Sequence, residues 1–180
     1  MSFLLIAPAV LAQNYDSRGE VFGSLGGGKI YDDEGSLGKG LDIGGGVGFR
    51  ITPKVGVEGQ VNRIDYERNF FSGVRFAGTA VFTTANLLYH FSTAKVQPYV
   101  VGGVGFVHHE NRSRFPEDDF LPKRTANGFA TNFGAGVKIF LNKKLSVRPE
   151  FRVFLGDTAG SGVEPPFSLG RASVALSYHW

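Results

Sequence analysis

Arg148, Glu150 and Arg152 stand at every second position of the segment Leu145 to Leu155. Leu145, Val147, Pro149, Phe151, Val153 and Leu155 alternate with them. A period of two puts the charges on one face of a strand and the apolar side chains on the other. A guanidinium–carboxylate–guanidinium row can do two things. It can lock itself as ion pairs, or it can offer fixed charges to a passing ion. The same sorting of faces in other segments adds Asp42, Arg50, Glu58 and Lys138, with Glu20 as a further candidate. Acids and bases are present in similar numbers, so the set can neutralise itself. A salt-bridge plug is the expected role, and a gated ion path is the alternative.

Other chemistry is poorly served. Acyl hydrolysis needs a serine within hydrogen-bond reach of a histidine, with an acid to orient the ring. The histidines are His90, His108, His109 and His179. Two of them fall at strand ends beside short turns, and His108-His109-Glu110 lies at a loop mouth with no His-x-Ser arrangement. Neighbouring histidines on a strand point to opposite faces, which also argues against a metal site there. Neither an enzyme nor a cofactor is expected. No cysteine is present, so disulfides and thiolate metal sites are excluded. The net charge of +3 comes from scattered rather than clustered basic residues, which argues against nucleic-acid binding.

The elements that must carry these charges are strands. With 26 glycines and 17 phenylalanines in 180 residues, the composition does not suit helices. Leu41, Ile43, Val47, Phe49 and Ile51 alternate with Asp42, Gly44, Gly46, Gly48 and Arg50. Val55, Val57 and Val61 alternate with Gly56, Glu58, Gln60 and Asn62, after which Ile64 and Tyr66 break parity and suggest a bulge or the emergence of the strand from the membrane. Ala85, Leu87, Tyr89 and Phe91 face away from Asn86 and His90. Phe133, Val137 and Ile139 oppose Asn132, Gly134, Gly136 and Lys138. Pro98 to Val107 has apolar or small residues on both faces, and its parity stays open. Pro149 forfeits a ladder bond, and a local bulge is expected there.

About eight such segments of roughly ten residues are separated by connections that alternate long and short. The long ones are 28–39, 68–74, 108–127 and 156–168. The short ones are Thr52-Pro53-Lys54, Ser92 to Lys95, and Asn142-Lys143-Lys144. A soluble sandwich has no reason to sort its loops in this way. A membrane barrel does, and an even strand number lets it close without an edge. The expected fold is a closed, antiparallel, up-and-down transmembrane β-barrel, with apolar faces toward lipid and the charges in the lumen. Residues 1–12 end an apolar run at Val10-Leu11-Ala12 and read as a signal peptide whose true start lies upstream; residues 13–180 are the barrel.

The last strand shows Ala172, Val174, Leu176, Tyr178 and a terminal Trp180 on one face. Together with Asn86 to Phe91, Pro98 to Phe106 and Arg148 to Arg152, it resembles the small OmpA/OmpX-like family of bacterial outer-membrane β-barrels. The likeness implies a bacterial outer-membrane location, with periplasmic termini and extracellular long loops. It also makes Leu176, Tyr178 and Trp180 an assembly signal read by the outer-membrane barrel assembly machinery. Lipid bilayer and lipopolysaccharide are the implied surroundings. OmpA-type members often add a peptidoglycan-binding domain, and none is expected after Trp180. A structural, surface-interaction role is expected, with a narrow or gated porin-like channel as the alternative and a lipid hydrolase as a distant one. The acidic runs Asp32-Asp33-Glu34 and Glu117-Asp118-Asp119 are expected to be solvated, though such runs can hold divalent cations. Lysines in the short turns (Lys54, Lys95, Lys143 and Lys144) are expected to meet anionic headgroups.

Overall fold

The computed structural model describes residues 17–32, 35–69, 75–114, 124–157 and 167–180. They form strands β1 Gly19–Asp32, β2 Gly35–Arg50, β3 Val55–Asn69, β4 Arg75–His90, β5 Val96–Arg114, β6 Arg124–Phe140, β7 Leu145–Asp157 and β8 Phe167–His179. Each strand pairs antiparallel with the next, and β8 returns to pair with β1, closing an up-and-down barrel of eight. The backbone of Trp180 completes the seam, exchanging hydrogen bonds with Gly19 at 3.1 and 3.3 Å.

Alternation sorts the side chains by solvent. Phe106 is 70 % exposed and Leu41 62 %, while Arg152 and Asp42 are both fully buried. That is the inverse of a water-soluble protein and the arrangement a lipid-facing barrel requires. About ten residues per strand, at about 3.3 Å each and a tilt of roughly 40°, give an apolar band about 25 Å tall. Following paired residues once around from Gly19 returns to β1 at Lys29, ten residues further along. This stagger is what tilts the strands and fixes the width of the lumen.

The short connections are held by their own polar residues. Thr52 Oγ1 accepts from the Val55 amide at 3.0 Å, and Asn142 Oδ1 accepts from the Lys144 and Leu145 amides at 2.8 and 2.9 Å. At the opposite end of the barrel the strands run further than hydropathy suggests. Residues 28–39, expected as a loop, are mostly strand. β1 continues to Asp32 and β2 starts at Gly35, with a register shift between Ile30 and Tyr31. Gly38 lies opposite Ile30 at φ 152°, a conformation that suits glycine. The loop expected over 108–127 is likewise shortened by strand up to Arg114 and again from Arg124. Ladder bonds persist beyond the apolar band, where no lipid enforces alternation. Residues 1–12 and the run Glu117-Asp118-Asp119 lie outside the described residues.

Two expected bulges are absent. β3 keeps a continuous register with β2 and β4 through Tyr66, so Ile64 and Tyr66 stay inward. They look misplaced only if the whole lumen is assumed to be polar. At Pro149 the β6–β7 register is the same on either side of the proline, from Gly136↔Glu150 to Ile139↔Val147, with two rungs missing between. Pro98 gives its carbonyl to the Phe91 amide at 2.9 Å, so its neighbour Val137 directs its backbone polar groups toward β7. There Pro149 has no N–H to offer. The barrel drops rungs rather than bulging.

Candidate functional site

The lumen is filled in two zones. Around its middle and toward the short turns stand Glu20, Asp42, Glu58 and Glu150 with Lys138, Arg148, Arg152 and Arg171, all buried. Four carboxylates thus meet four cations. Glu58 and Glu150 are the centre. Arg148 Nη1 reaches Glu58 at 2.6 Å, and Arg152 Nη2 bridges Glu150 at 2.7 Å and Glu58 at 3.2 Å. Arg152 Nη1 also donates to Gln60 at 2.7 Å. Arg171 donates to the other Glu150 oxygen at 2.7 Å and approaches Asp42 at 3.8 Å. Tyr99 OH donates to Glu150 at 2.7 Å. Toward the turns, Lys138 Nζ holds both oxygens of Glu20 at 2.7 and 2.8 Å. Asn62 supports Asp42 at 3.1 Å, while Asn132 supports Asn86 at 2.9 Å and Asn86 supports Glu58 at 3.3 Å.

Small residues make room for this. A Cβ at Gly136 would collide with the Tyr99 hydroxyl, and one at Gly103 with Asn86. Glycine at these two positions lets Tyr99 lie across the wall to Glu150 and Asn86 reach Glu58. Arg148 stacks on the Phe22 ring at 4.0 Å, which gives its buried guanidinium an aromatic face as well as carboxylates.

On the loop side of the charges the lumen turns apolar. Ile30, Ile64, Tyr66, Ala80, Phe82, Val107, Ala130, Phe154 and Leu169 form one buried cluster, with Phe82 and Phe154 in ring contact at 4.9 Å. Tyr66 meets His109 through its hydroxyl. The zone comes from the same alternation, with apolar residues at the inward positions near the loop ends of the strands. Sequence patterning missed it because inward was equated with polar.

Of the sequence-derived lumen residues, Asp42, Glu58, Lys138, Arg148, Glu150 and Arg152 all lie in the network, as does Glu20. Arg50 is only half-buried. It sits at the turn-side rim, donating to the Pro53 carbonyl at 3.0 Å and to the Gln97 side chain. Arg171 and Tyr99 went unnamed in the sequence. Arg171 was within reach, since it precedes Ala172 and so falls on the opposite face from the apolar row ending at Trp180. The parity left open in β5 is settled by Gln97, Tyr99, Val101 and Val107, all buried, with Val100, Val104 and Phe106 outside.

One arrangement has the outline of a hydrolytic triad. Ser146 Oγ lies 2.7 Å from His179 Nε2, and His179 Nδ1 lies 3.6 Å from Glu20. Its environment is wrong for acyl transfer. Ser146 is fully buried, Ser17 occupies His179 Nδ1 at 3.0 Å, and Glu20 is committed to Lys138. The neighbouring cavity at the turn-side mouth measures about 10 Å³, room for a water and not for an ester. His108 faces outward and pairs with Glu110 at 3.6 Å, while His109 turns inward. Among the described residues no cluster has the composition of a metal site.

The model of the outer membrane protein beta-barrel domain family matches residues 1–179. The chain belongs to that family. This outer-membrane barrel also superposes on solved barrels of the same build. Neisserial surface protein A is 15 % identical, with a TM-score of 0.64 over 90 % of this chain and 97 % of that one. The attachment invasion locus protein Ail of Yersinia pestis is 11 % identical, with a TM-score of 0.60 over 92 % and 99 %. The N-terminal barrel domain of Pseudomonas aeruginosa OprF is 17 % identical, with a TM-score of 0.51 over 89 % and 98 %. No curated protein matches by sequence. At such identities the likeness is one of fold.

Proposed function

We propose that this barrel is a non-conducting structural protein of the bacterial outer membrane. Its outer wall and loop ends engage lipopolysaccharide and surface partners, and it has no catalytic role. The observation that carries this reading is the double closure of the lumen. A charge-neutral network with four acids and four bases fills one zone, and a dry apolar cluster fills the other. An ion would have to displace ion pairs and then cross a constriction that excludes water. Leu176, Tyr178 and Trp180 face outward at the turn-side end of the closing strand, accessible as an assembly signal, and residues 1–12 act as the signal peptide. The termini and the lysine-bearing turns are periplasmic, and the long connections are extracellular.

Single-channel recording of the refolded protein in a planar bilayer tests the reading. Silence over long records is expected. Discrete conductance steps from the wild type would replace it with a channel.

A further inference from the structure

On the outer wall, β1 and β2 place Lys29 directly opposite Lys39, both exposed. Like charges facing each other across a strand pair repel. Among the described residues neither ammonium meets a carboxylate, and the β3 backbone places Glu67 in register with Lys39. Lys29 lies over the Tyr31 ring at 4.7 Å. The next outward row toward the turns reads Leu41, Gly27, Ala172 and Phe151 across β2, β1, β8 and β7. Gly27, Ala172 and Gly170 form a floor without bulk, and Leu41 and Phe151 stand as walls. The result is a shallow, open, lipid-facing groove that runs up to the two lysines.

The geometry points to a binding site for one lipopolysaccharide molecule, with an acyl chain in the groove and a lipid A phosphate between Lys29 and Lys39. This rests on the reading above that the loop ends face outward. The groove lies near those ends, where outward residues change from Leu25 and Ile43 to Lys29, Lys39, Arg63 and Asp65. That change marks the headgroup level of the outer leaflet. A phosphate monoester carries between one and two negative charges near neutral pH and matches two ammonium groups. The phosphodiester of a glycerophospholipid carries one. An anion between the lysines also removes their mutual repulsion.

The test uses the full chain refolded in zwitterionic nanodiscs and titrated with purified lipopolysaccharide. The same lipid after phosphatase treatment and phosphatidylglycerol serve as probes of source. Two variants are compared, the double change Lys29→Gln with Lys39→Gln, and Gly170→Leu. A Cβ at Gly170 meets nothing nearer than the Phe151 ring at 3.9 Å, so leucine fills the groove without straining the wall. Saturable binding to the wild type is expected, weaker by about tenfold or more in the lysine variant and for the dephosphorylated lipid. Gly170→Leu is expected to weaken binding while leaving the response to salt intact. Wild-type binding that both variants retain would overturn the groove and leave the surface reading standing. No saturable wild-type binding would remove both. Phosphatidylglycerol binding as tightly as lipopolysaccharide would overturn the choice of lipid.

Discussion

Arg152 ties three lumen side chains together from β7. Its guanidinium contacts Glu58, Glu150 and Gln60, and it is fully buried. Truncating one partner of a buried pair strands the others without water, at a cost of about 3–5 kcal/mol. Arg152→Ala should therefore lower the urea midpoint of the refolded barrel sharply. Arg63→Ala, which removes an exposed pair with Asp65, should leave the midpoint unchanged. Equal midpoints for Arg152→Ala and the wild type would mean that the network carries no stability. Alternation alone was enough to put Asp42, Glu58, Lys138, Arg148, Glu150 and Arg152 on inward positions, because in a strand parity decides the face. Tyr99 was illegible for the converse reason. Its segment is apolar or small on both faces, and only Gly136 on the neighbouring strand, unknowable from β5 itself, makes room for its ring.

Strand interiors were more legible than strand ends. Within the apolar band lipid selects one face, and the pattern in β2, β6 and β7 reads directly. Beyond the band no lipid selects an apolar outer face, so the extensions of β1, β2, β5 and β6 lack the apolar period and read as loop. Register is a further property that composition cannot show. Pro149 suggested a bulge because a missing donor must be accommodated somehow, yet the β6–β7 register is unbroken. The consequence is a local weak seam at Val137. Pro149→Ala restores a donor, a gain of about 0.5–1.5 kcal/mol. The same change also frees the unfolded chain, a loss of about 0.4–1 kcal/mol. Global stability should therefore barely move. Amide exchange should respond instead: protection along β6 and β7 near Val137 should rise in the variant while the β7–β8 seam stays as it was. A bulge would predict the opposite, since alanine would not repair a slipped register.

For the molecule as a whole, the two lumen zones lie in series, and series barriers fail only together. Removing charge pairs leaves the apolar cluster dry. Opening the apolar cluster leaves the ion pairs in place, although Phe154→Ala also loses contact with Phe82 and costs about 3–5 kcal/mol. Arg148→Ala alone should stay silent in a planar bilayer, and so should Phe154→Ser alone. The double variant should leak, because water admitted past residue 154 then reaches a network in which Glu58 has lost its shortest ion pair. Its selectivity should favour cations, since deleting one of four buried cations leaves the lumen with an excess negative charge. Conductance from Arg148→Ala by itself would show that the apolar zone is no barrier and that the ion pairs alone keep the barrel shut. Conductance from Phe154→Ser alone would assign the closure to the dry zone. The silent single variants and the leaking double variant distinguish a lumen closed twice from either simpler design.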